Sequence, residues 1–167
     1  ENEHRAEDHL NVTVPTDLHL LVAAKDESYT ESIVRMAASI LRSTGGMATL
    51  LMVVPDPSRC QKAEAVLNKL EAYLAPNPAR LLVRVGKASE EIGRESASGE
   101  YDLLVIGKRP KKGLFKRLFP HTAEQVIKEL SCPVLIAREH TGPLRRFLVC
   151  EGGQSVKLLP AITGRLK

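Results

Sequence analysis

Short, continuous apolar runs recur along most of this chain, and longer stretches with a helical spacing of apolar residues lie between them. Runs of this length that are rich in Leu, Val and Ile predict buried β-strands. The predicted strands span residues 18–24, 47–54, 80–85, 103–106 and 133–137. Glycine or proline follows three of the five runs, and these residues mark where a strand ends.

The stretches between the runs predict four helices. In residues 29–43 the apolar side chains of Ile33, Ala37, Ile40 and Leu41 recur at the spacing of one helix face. Similar stripes occupy residues 60–74 and 88–98, and a fourth helix is predicted at residues 123–130. Buried strands that alternate with amphipathic helices are typical of an α/β protein. The pattern predicts an open, doubly wound, five-stranded parallel sheet with helices on both faces.

The chain divides into four segments. Residues 1–16 are polar and lack periodicity, so we expect a tail or linker there, followed by the α/β domain at residues 17–139. After a polar linker at 140–145, residues 146–167 repeat the opening order of strand, polar turn and amphipathic stretch. We interpret this segment as the start of a second, truncated repeat, because a strand and part of a helix bury no core alone. The alternative is an edge strand and tail added to the first sheet.

Composition narrows the class of protein. Apolar residues make up 43% of the chain but aromatic residues only 4%, so we expect an aliphatic core. No apolar run reaches the roughly 18–20 residues that span a bilayer, so no membrane insertion of this segment is expected. The net charge of +4 is too small to indicate nucleic-acid binding by itself. Three cysteines without CxxC spacing predict reduced thiols and a cytoplasmic protein.

Over roughly residues 18–138 the chain resembles the universal stress protein family, with a partial second match at 146–167. The resemblance is carried by the sequences LLVAAKDES, TLLMVVP, YDLLVIGKR and AEQVIKELSCPVLIAR. It implies a Rossmann-like fold with five parallel strands, in agreement with the pattern of strands and helices. It also implies a homodimer, or a pairing of tandem repeats, through the last strand. Val134, Leu135 and Ile136 are the candidate contact residues there.

ATP-binding members of that family carry a glycine pattern after the fourth strand. The pattern is glycine, two residues, glycine, nine residues, glycine, then serine or threonine. In this chain Gly107 matches the first position, but Pro110, Pro120 and His121 occupy the other three. Proline has no backbone N–H to donate to a phosphate and does not adopt positive φ. We therefore interpret the ATP site as degraded, and we expect ATP or another nucleotide to be a disfavoured ligand.

Nine residues are candidates for binding a nucleotide or another anion. Lys25 stands where ATP-binding members carry an acidic residue, and a shift of one residue would offer Asp26 instead. The full set is Lys25, Asp26, Val53, Gly107, Lys108, Arg109, Gly113, His121 and Thr122. Six cations between residues 108 and 117 either hold an anion in place of backbone donors or form a solvated surface loop. Thr122 also begins a capping-box pattern with Gln125, which explains both residues without a ligand.

Catalytic and metal-binding patterns are absent from the sequence. No serine lies in a nucleophile-elbow context and no Walker lysine lies in a glycine loop, so we expect no enzyme. The acidic pairs Asp26-Glu27 and Glu90-Glu91 fall at predicted helix starts, where they complement the helix dipole. The expected function is a regulatory stress-response module that acts by dimerisation or partner binding. Alternatives are a sensor of a nucleotide or other phosphate compound, and a cytosolic domain of a larger protein such as a transporter.

Overall fold

The computed structural model describes residues 16–25, 27–98, 100–108 and 132–138, with the backbone alone at Ser28, Tyr29, Lys108 and Arg138. These residues form five strands, three α-helices and a short 3₁₀ helix. The strands are β1 (Leu18–Ala24), β2 (Gly46–Val54), β3 (Ala79–Val85), β4 (Leu103–Lys108) and β5 (Val134–Arg138). The α-helices are α1 (Glu27–Thr44), α2 (Cys60–Glu71) and α3 (Ala88–Ser96), and the 3₁₀ helix spans Pro57–Arg59.

All five strands belong to one parallel sheet, in the order β3-β2-β1-β4-β5. The chain moves outward from β1 to β3 and then returns to place β4 on the other side of β1. In the register of the sheet, Leu20 of β1 pairs with Ala48 of β2 and with Leu103 of β4. The order therefore reverses between β1 and β4, and ligands of open α/β sheets bind at the carboxyl ends of strands at such a switch point.

Side chains alternate between the two faces of the sheet, and each face packs against its own helices. On the first face, Leu20 and Leu50 belong to a buried cluster with residues of α1 and α2, including Leu41 and Leu67. On the second face, Leu21, Leu51 and Leu104 are clustered with Ile92 of α3. The predicted doubly wound arrangement with helices on both faces is confirmed, and its core is aliphatic as expected.

Two consecutive glycines make the tight turn from α1 into β2. Gly45 and Gly46 have φ values of 78° and 95°, which L-residues with side chains rarely adopt. The Gly45 N–H donates to the carbonyl of Leu41 at 2.7 Å, which closes the end of the helix. A Cβ on Gly46 would lie 2.0 Å from the carbonyl oxygen of Leu18. Glycine is therefore required at this point by both φ and space.

Three details differ from the sequence predictions. α2 ends at Glu71 instead of residue 74, because the next turn tightens: the Leu74 N–H donates to the Glu71 carbonyl at 2.9 Å. β4 continues through Gly107 to Lys108, so Gly107 lies inside a strand instead of after it. The sequence predicts that β3 is buried, but none of its residues is buried in the structure, where β3 is an edge strand and Val85 is 44% exposed.

Several predictions fall on residues outside the described ranges. These are the tail at residues 1–15, the helix at 123–130, the linker at 140–145 and the second repeat at 146–167. Among the helices of the described ranges, none combines the length and the apolar character needed to cross a bilayer.

Candidate ligand site and sheet edges

The switch point brings two of the predicted site residues to neighbouring strand ends. Ala23 of β1 pairs with Ile106 of β4, so Lys25 and Gly107 follow at the same end of the sheet. Lys25 is exposed and Gly107 is buried. The backbone of Lys108 continues β4 and pairs with Arg138 of β5. The geometry thus places an exposed cation and a glycine at the end of the sheet where parallel α/β proteins bind ligands.

The backbone of Lys25 is already engaged. Its N–H donates to the side-chain oxygen of Thr30 at 3.1 Å, and Thr30 is fully buried in the first turns of α1. A backbone N–H at this position could donate a hydrogen bond to a phosphate oxygen. Here it donates to Thr30 and closes the turn between β1 and α1 instead. The Lys25 ammonium has no ion-pair partner among the residues described. Lys25 therefore offers a ligand its side chain and not its backbone. Sequence reasoning missed the role of Thr30, because a threonine near a helix start has several ordinary roles.

Val53 lies near the end of β2, one strand away from Lys25 and on the second face. It is half-buried and packs at the margin of the cluster that contains Leu21, Leu51 and Ile106. It can contribute an apolar wall to a ligand site but no polar contact from its side chain. On the first face, the exposed Glu27 carboxylate at the start of α1 pairs with Lys69 of α2 at 3.0 Å. That pair compensates the charge of Glu27, two residues after Lys25.

The other predicted site residues are outside the described ranges. They are Asp26, Arg109, Gly113, His121 and Thr122, together with the side chain of Lys108. Of the nine candidates, Lys25, Val53 and Gly107 thus lie in described parts of the structure, and a role in ligand binding stays a prediction for all nine.

A buried polar cluster lies on the second face, where the sequence indicated only strands and a helix. The Tyr101 hydroxyl donates to the Glu95 carboxylate of α3 at 2.6 Å, and Arg84 of β3 pairs with the same carboxylate at 3.1 Å. Glu95 and Tyr101 are each less than a tenth exposed. Burial is the largest single influence and would raise the pKa of Glu95, but the hydrogen bonds from Tyr101 and Arg84 together hold it below its ordinary value.

The cluster continues into β1 and β2. The ring of His19 lies 4.5 Å from that of Tyr101, and its Nε2 is 2.9 Å from the hydroxyl of Thr49. The His19 backbone N–H donates to the carboxylate of Asp102 at 2.8 Å, and the Asp102 N–H donates back to the His19 carbonyl at 2.9 Å. Burial, followed by the bond to Glu95, raises the pKa of Tyr101 to about 12. The sequence signal for this cluster is one polar residue within each of two apolar strands: His19 in β1 and Thr49 in β2.

The two edges of the sheet differ in chemistry. β5 carries three consecutive apolar residues, of which Val134 and Leu135 are half-buried and Ile136 is 43% exposed. β3 places Arg80 and Arg84 on one face, where they pair with Glu100 at 3.7 Å and with Glu95. Charged side chains on an edge strand oppose the addition of another strand, and an apolar edge does not.

Known proteins resemble this chain in sequence pattern and in fold. A model of the universal stress protein family matches residues 18–138, which is most of the chain. The chain belongs to the universal stress protein family. The predicted family resemblance is therefore confirmed over the α/β domain. The search of curated proteins gives no match.

Solved universal stress proteins share the fold of this member of the family. The protein from Archaeoglobus fulgidus in complex with dAMP is 21% identical, with a TM-score of 0.55 over 74% of this chain and 98% of that chain. A universal stress protein in complex with cAMP is 16% identical, with a TM-score of 0.57 over the same shares. UspA from Lactobacillus plantarum is 15% identical, with a TM-score of 0.58 over 74% of this chain and 99% of that chain. At these identities the likeness establishes the fold.

Of the two described cysteines of this universal stress protein domain, Cys132 is the less accessible. Cys132 is buried beside the second-face cluster, and burial raises the pKa of its thiol. A raised pKa leaves little thiolate at neutral pH. The predicted burial of Cys132 is confirmed, and its reduced state stays a prediction. Within the described ranges no three His, Cys, Asp or Glu side chains come together in a group that could hold a metal ion.

Proposed function

We propose that this universal stress protein domain is a non-catalytic regulatory module that acts by association, pairing with a second copy through β5, which is an edge strand among the residues described. The observation that carries the proposal is the contrast between the two sheet edges. β5 offers the apolar residues Val134, Leu135 and Ile136, whereas β3 carries two arginines in ion pairs. A partner strand on β5 displaces no charged pair among the described side chains, and it covers the most exposed large apolar side chain of that edge.

A cytoplasmic location is part of the proposal. The free thiols of Cys60 and Cys132 suit a compartment that keeps cysteines reduced. The second copy can belong to another chain or to a repeat that starts near residue 146. In either arrangement the same β5 edge is used, and the domain can equally be the cytosolic part of a larger protein.

The test compares substitutions at the two edges. Ile136→Lys places a charge on the β5 edge, and Val85→Lys is the matched control because Val85 is 44% exposed on the β3 edge. The wild-type chain is expected to sediment as a dimer at micromolar concentration. Ile136→Lys should weaken association at least about tenfold, since burying an unpaired charge costs more than the 1.4 kcal/mol of one decade. A wild-type monomer, or dissociation caused by Val85→Lys alone, would contradict the proposal.

A second candidate function is the sensing of an adenine nucleotide or another phosphate compound at the carboxyl ends of β1 and β4. It is favoured by the exposed ammonium of Lys25 at the switch point, which has no ion-pair partner among the described residues, and by the dAMP and cAMP complexes of two proteins with this fold. The engaged amide of Lys25 and the prolines at positions 110 and 120 argue against a family-type phosphate loop. We therefore rank this function second.

Thermal denaturation with millimolar ATP, AMP and cAMP tests the sensing function. A ligand present at ~100 times its dissociation constant adds about 2.7 kcal/mol to the unfolding free energy, which is readily seen as a raised Tm. If a nucleotide stabilises the protein, Lys25→Ala, Arg109→Ala and His121→Ala should each weaken the effect. Lys62→Ala is the control, because Lys62 is an exposed lysine of α2. Unchanged Tm with all three nucleotides would remove the sensing function.

A further inference from the structure

The register of the sheet aligns basic residues at its carboxyl end. Lys108 of β4 pairs with Arg138 of β5. On the other side of β4, Ile106 pairs with Ala23 of β1. Continued by two residues, this register aligns Lys108 with Lys25, which directly follows β1. Three neighbouring strands thus each place a basic residue at the same level, and Lys25, Lys108 and Arg138 are named the basic row.

The other two strands differ in charge at this level. Continued in the same way, the register places Val53 of β2 beside Lys25. Val53 pairs in turn with Arg84 of β3. Val53 is apolar, and the Arg84 guanidinium is paired with the Glu95 carboxylate at 3.1 Å. The positions at this level that remain for an anion are therefore those of the basic row.

Acidic residues described near this end of the sheet already have cationic partners. The first described acidic residue after each of β1, β2 and β3 forms an ion pair: Glu27 with Lys69 at 3.0 Å, Asp56 with Arg59 at 3.4 Å and Glu90 with Lys87 at 2.9 Å. Lys25, in contrast, is exposed and has no ion-pair partner among the residues described. Like charges on neighbouring strands repel each other, so an anion bound between them lowers the free energy of the row.

The amino end of the sheet carries the opposite charge. Asp17 precedes β1, whereas Glu100 and Asp102 precede β4, and all three side chains are exposed. Charge is thus separated along the direction of the strands. A surface lined by charges of one sign raises the local concentration of the counter-ion. Anions are therefore drawn to the carboxyl end, where the basic row lies.

The spacing and the chemistry of the row indicate which anion it fits. Neighbouring strands lie about 4.8 Å apart, so the backbones of Lys25 and Arg138 are separated by about 10 Å. A linear chain of linked phosphates presents oxygens to each position in turn, whereas a single phosphate requires all three side chains to converge. Lysine and arginine are hydrogen-bond donors only. They match phosphate oxygens but offer no acceptor to the amino group of a nucleobase.

We infer that the basic row binds a linear polyphosphate chain through side-chain charge and needs no nucleoside; the inference rests on the sensing function ranked second above. Free inorganic polyphosphate and the phosphate chain of a nucleotide share this chemistry. Backbone donors contribute little, because the Lys25 N–H already donates to Thr30 at 3.1 Å. Pro110 and Pro120, which follow β4, have no N–H to offer. Side-chain charge takes the place of a backbone phosphate cradle.

Calorimetric titration of the full chain with inorganic tripolyphosphate, ATP and AMP distinguishes the two sources. Tripolyphosphate should bind as tightly as ATP to within about threefold. AMP should bind at least about tenfold more weakly, because its single phosphate forgoes charge-assisted hydrogen bonds to part of the row. Raising the ionic strength from about 0.1 M to about 1 M should weaken tripolyphosphate binding at least about tenfold, because salt screens exposed charges.

Substitutions in the row test where the polyphosphate binds. Lys25→Gln and Arg138→Gln should each weaken tripolyphosphate binding at least about tenfold, the loss expected for one charge-assisted hydrogen bond. Lys25→Arg should stay within about threefold of wild type, because arginine keeps the charge. Lys62→Gln is the matched control, since Lys62 is an exposed lysine of α2 outside the row. A Lys25→Arg loss as large as that of Lys25→Gln would overturn a role based on charge.

The three ligands separate failure of the inference from failure of the sensing function. If ATP and AMP bind alike and tripolyphosphate does not bind, the protein recognises the nucleoside, so the inference is overturned and the sensing function stands. If none of the three binds, the sensing function itself is refuted. If tripolyphosphate binds but Lys25→Gln and Arg138→Gln weaken it no more than Lys62→Gln does, the anion is held elsewhere and the basic row is overturned as its site.

Discussion

Replacing Tyr101 with phenylalanine tests whether the polar cluster on the second face stabilises the domain. The substitution keeps the ring beside His19 but removes the hydroxyl that donates to Glu95 at 2.6 Å. Both residues are buried, so water does not readily replace the lost donor, and the carboxylate retains only Arg84 as a described side-chain partner. A hydrogen bond to a charged group contributes about 1.5–3 kcal/mol. We expect Tyr101→Phe to lower the free energy of unfolding by this amount.

Urea denaturation followed by circular dichroism measures the loss. Tyr73→Phe is the matched control, because Tyr73 is half-buried and phenylalanine keeps the ring over which the Arg35 guanidinium lies, 4.1 Å from the ring centre. The control should change the unfolding free energy by less than about 0.5 kcal/mol. Equal effects of the two substitutions, or a Tyr101→Phe protein as stable as wild type, would refute a stabilising role for the cluster.

The advantage of wild type over Tyr101→Phe should also depend on pH at both extremes. The pKa of Tyr101 is raised from 10.0 to about 12 in the folded protein, so its contribution is complete below pH 10. That contribution is lost as the pH rises toward 12, because only the unfolded chain has then released the proton. The pKa of Glu95 is held below its ordinary value of 4.5, so the carboxylate contributes above pH 4.5 and its contribution falls in more acid solution. Denaturation of wild type and Tyr101→Phe at acid pH, at pH 7 and at pH 11 measures this advantage at both extremes; an advantage that is constant across the three would contradict the prediction.

Three further predictions concern packing and reactivity. Gly46→Ala should destabilise the domain by more than about 2 kcal/mol in thermal denaturation. The new Cβ would clash with the Leu18 carbonyl, and alanine would be strained at the positive φ of this position. A variant with the wild-type Tm would mean that the turn relaxes. Leu67→Ala should cost about 2–5 kcal/mol by the same measurement, since Leu67 is fully buried on the inner side of α2. A cost under about 1 kcal/mol would indicate a collapsed cavity. Native protein should react with a thiol reagent faster at Cys60 than at buried Cys132, as read by mass spectrometry, and faster labelling of Cys132 would contradict its burial.

The order of strands and helices could be predicted from the sequence because apolar runs and helical stripes are local signals. Residues 18–24 form a strand with the predicted bounds, and Gly86 follows β3 as its position in the sequence indicates. The strand order could not be read from local pattern, and it makes β3 an edge. Arg80 and Arg84 then become exposed edge residues, although the surrounding Leu and Val residues are typical of a covered strand.

The site was harder to predict, because its properties depend on contacts between distant residues. The position of Lys25 at the end of β1 followed from the apolar run before it. The hydrogen bond from the Lys25 backbone N–H to the Thr30 side chain could not be predicted, because it depends on the geometry of the turn between β1 and α1. The bond between Glu95 and Tyr101 joins α3 to a residue two positions before β4. Neither residue type in its local sequence indicates the other. Polar residues within apolar strands, such as His19, were the available signal for the cluster.

The common direction of the five strands has a consequence for any paired assembly of this domain. If two β5 strands pair antiparallel, the result is a single sheet of ten strands, five from each copy. Every carboxyl end in one copy then points opposite to those in the other, so the two Lys25 residues lie on opposite sides of the assembly. No small ligand could bridge them. Any communication between the two ligand positions would have to pass sideways, strand by strand, through β4 and β5.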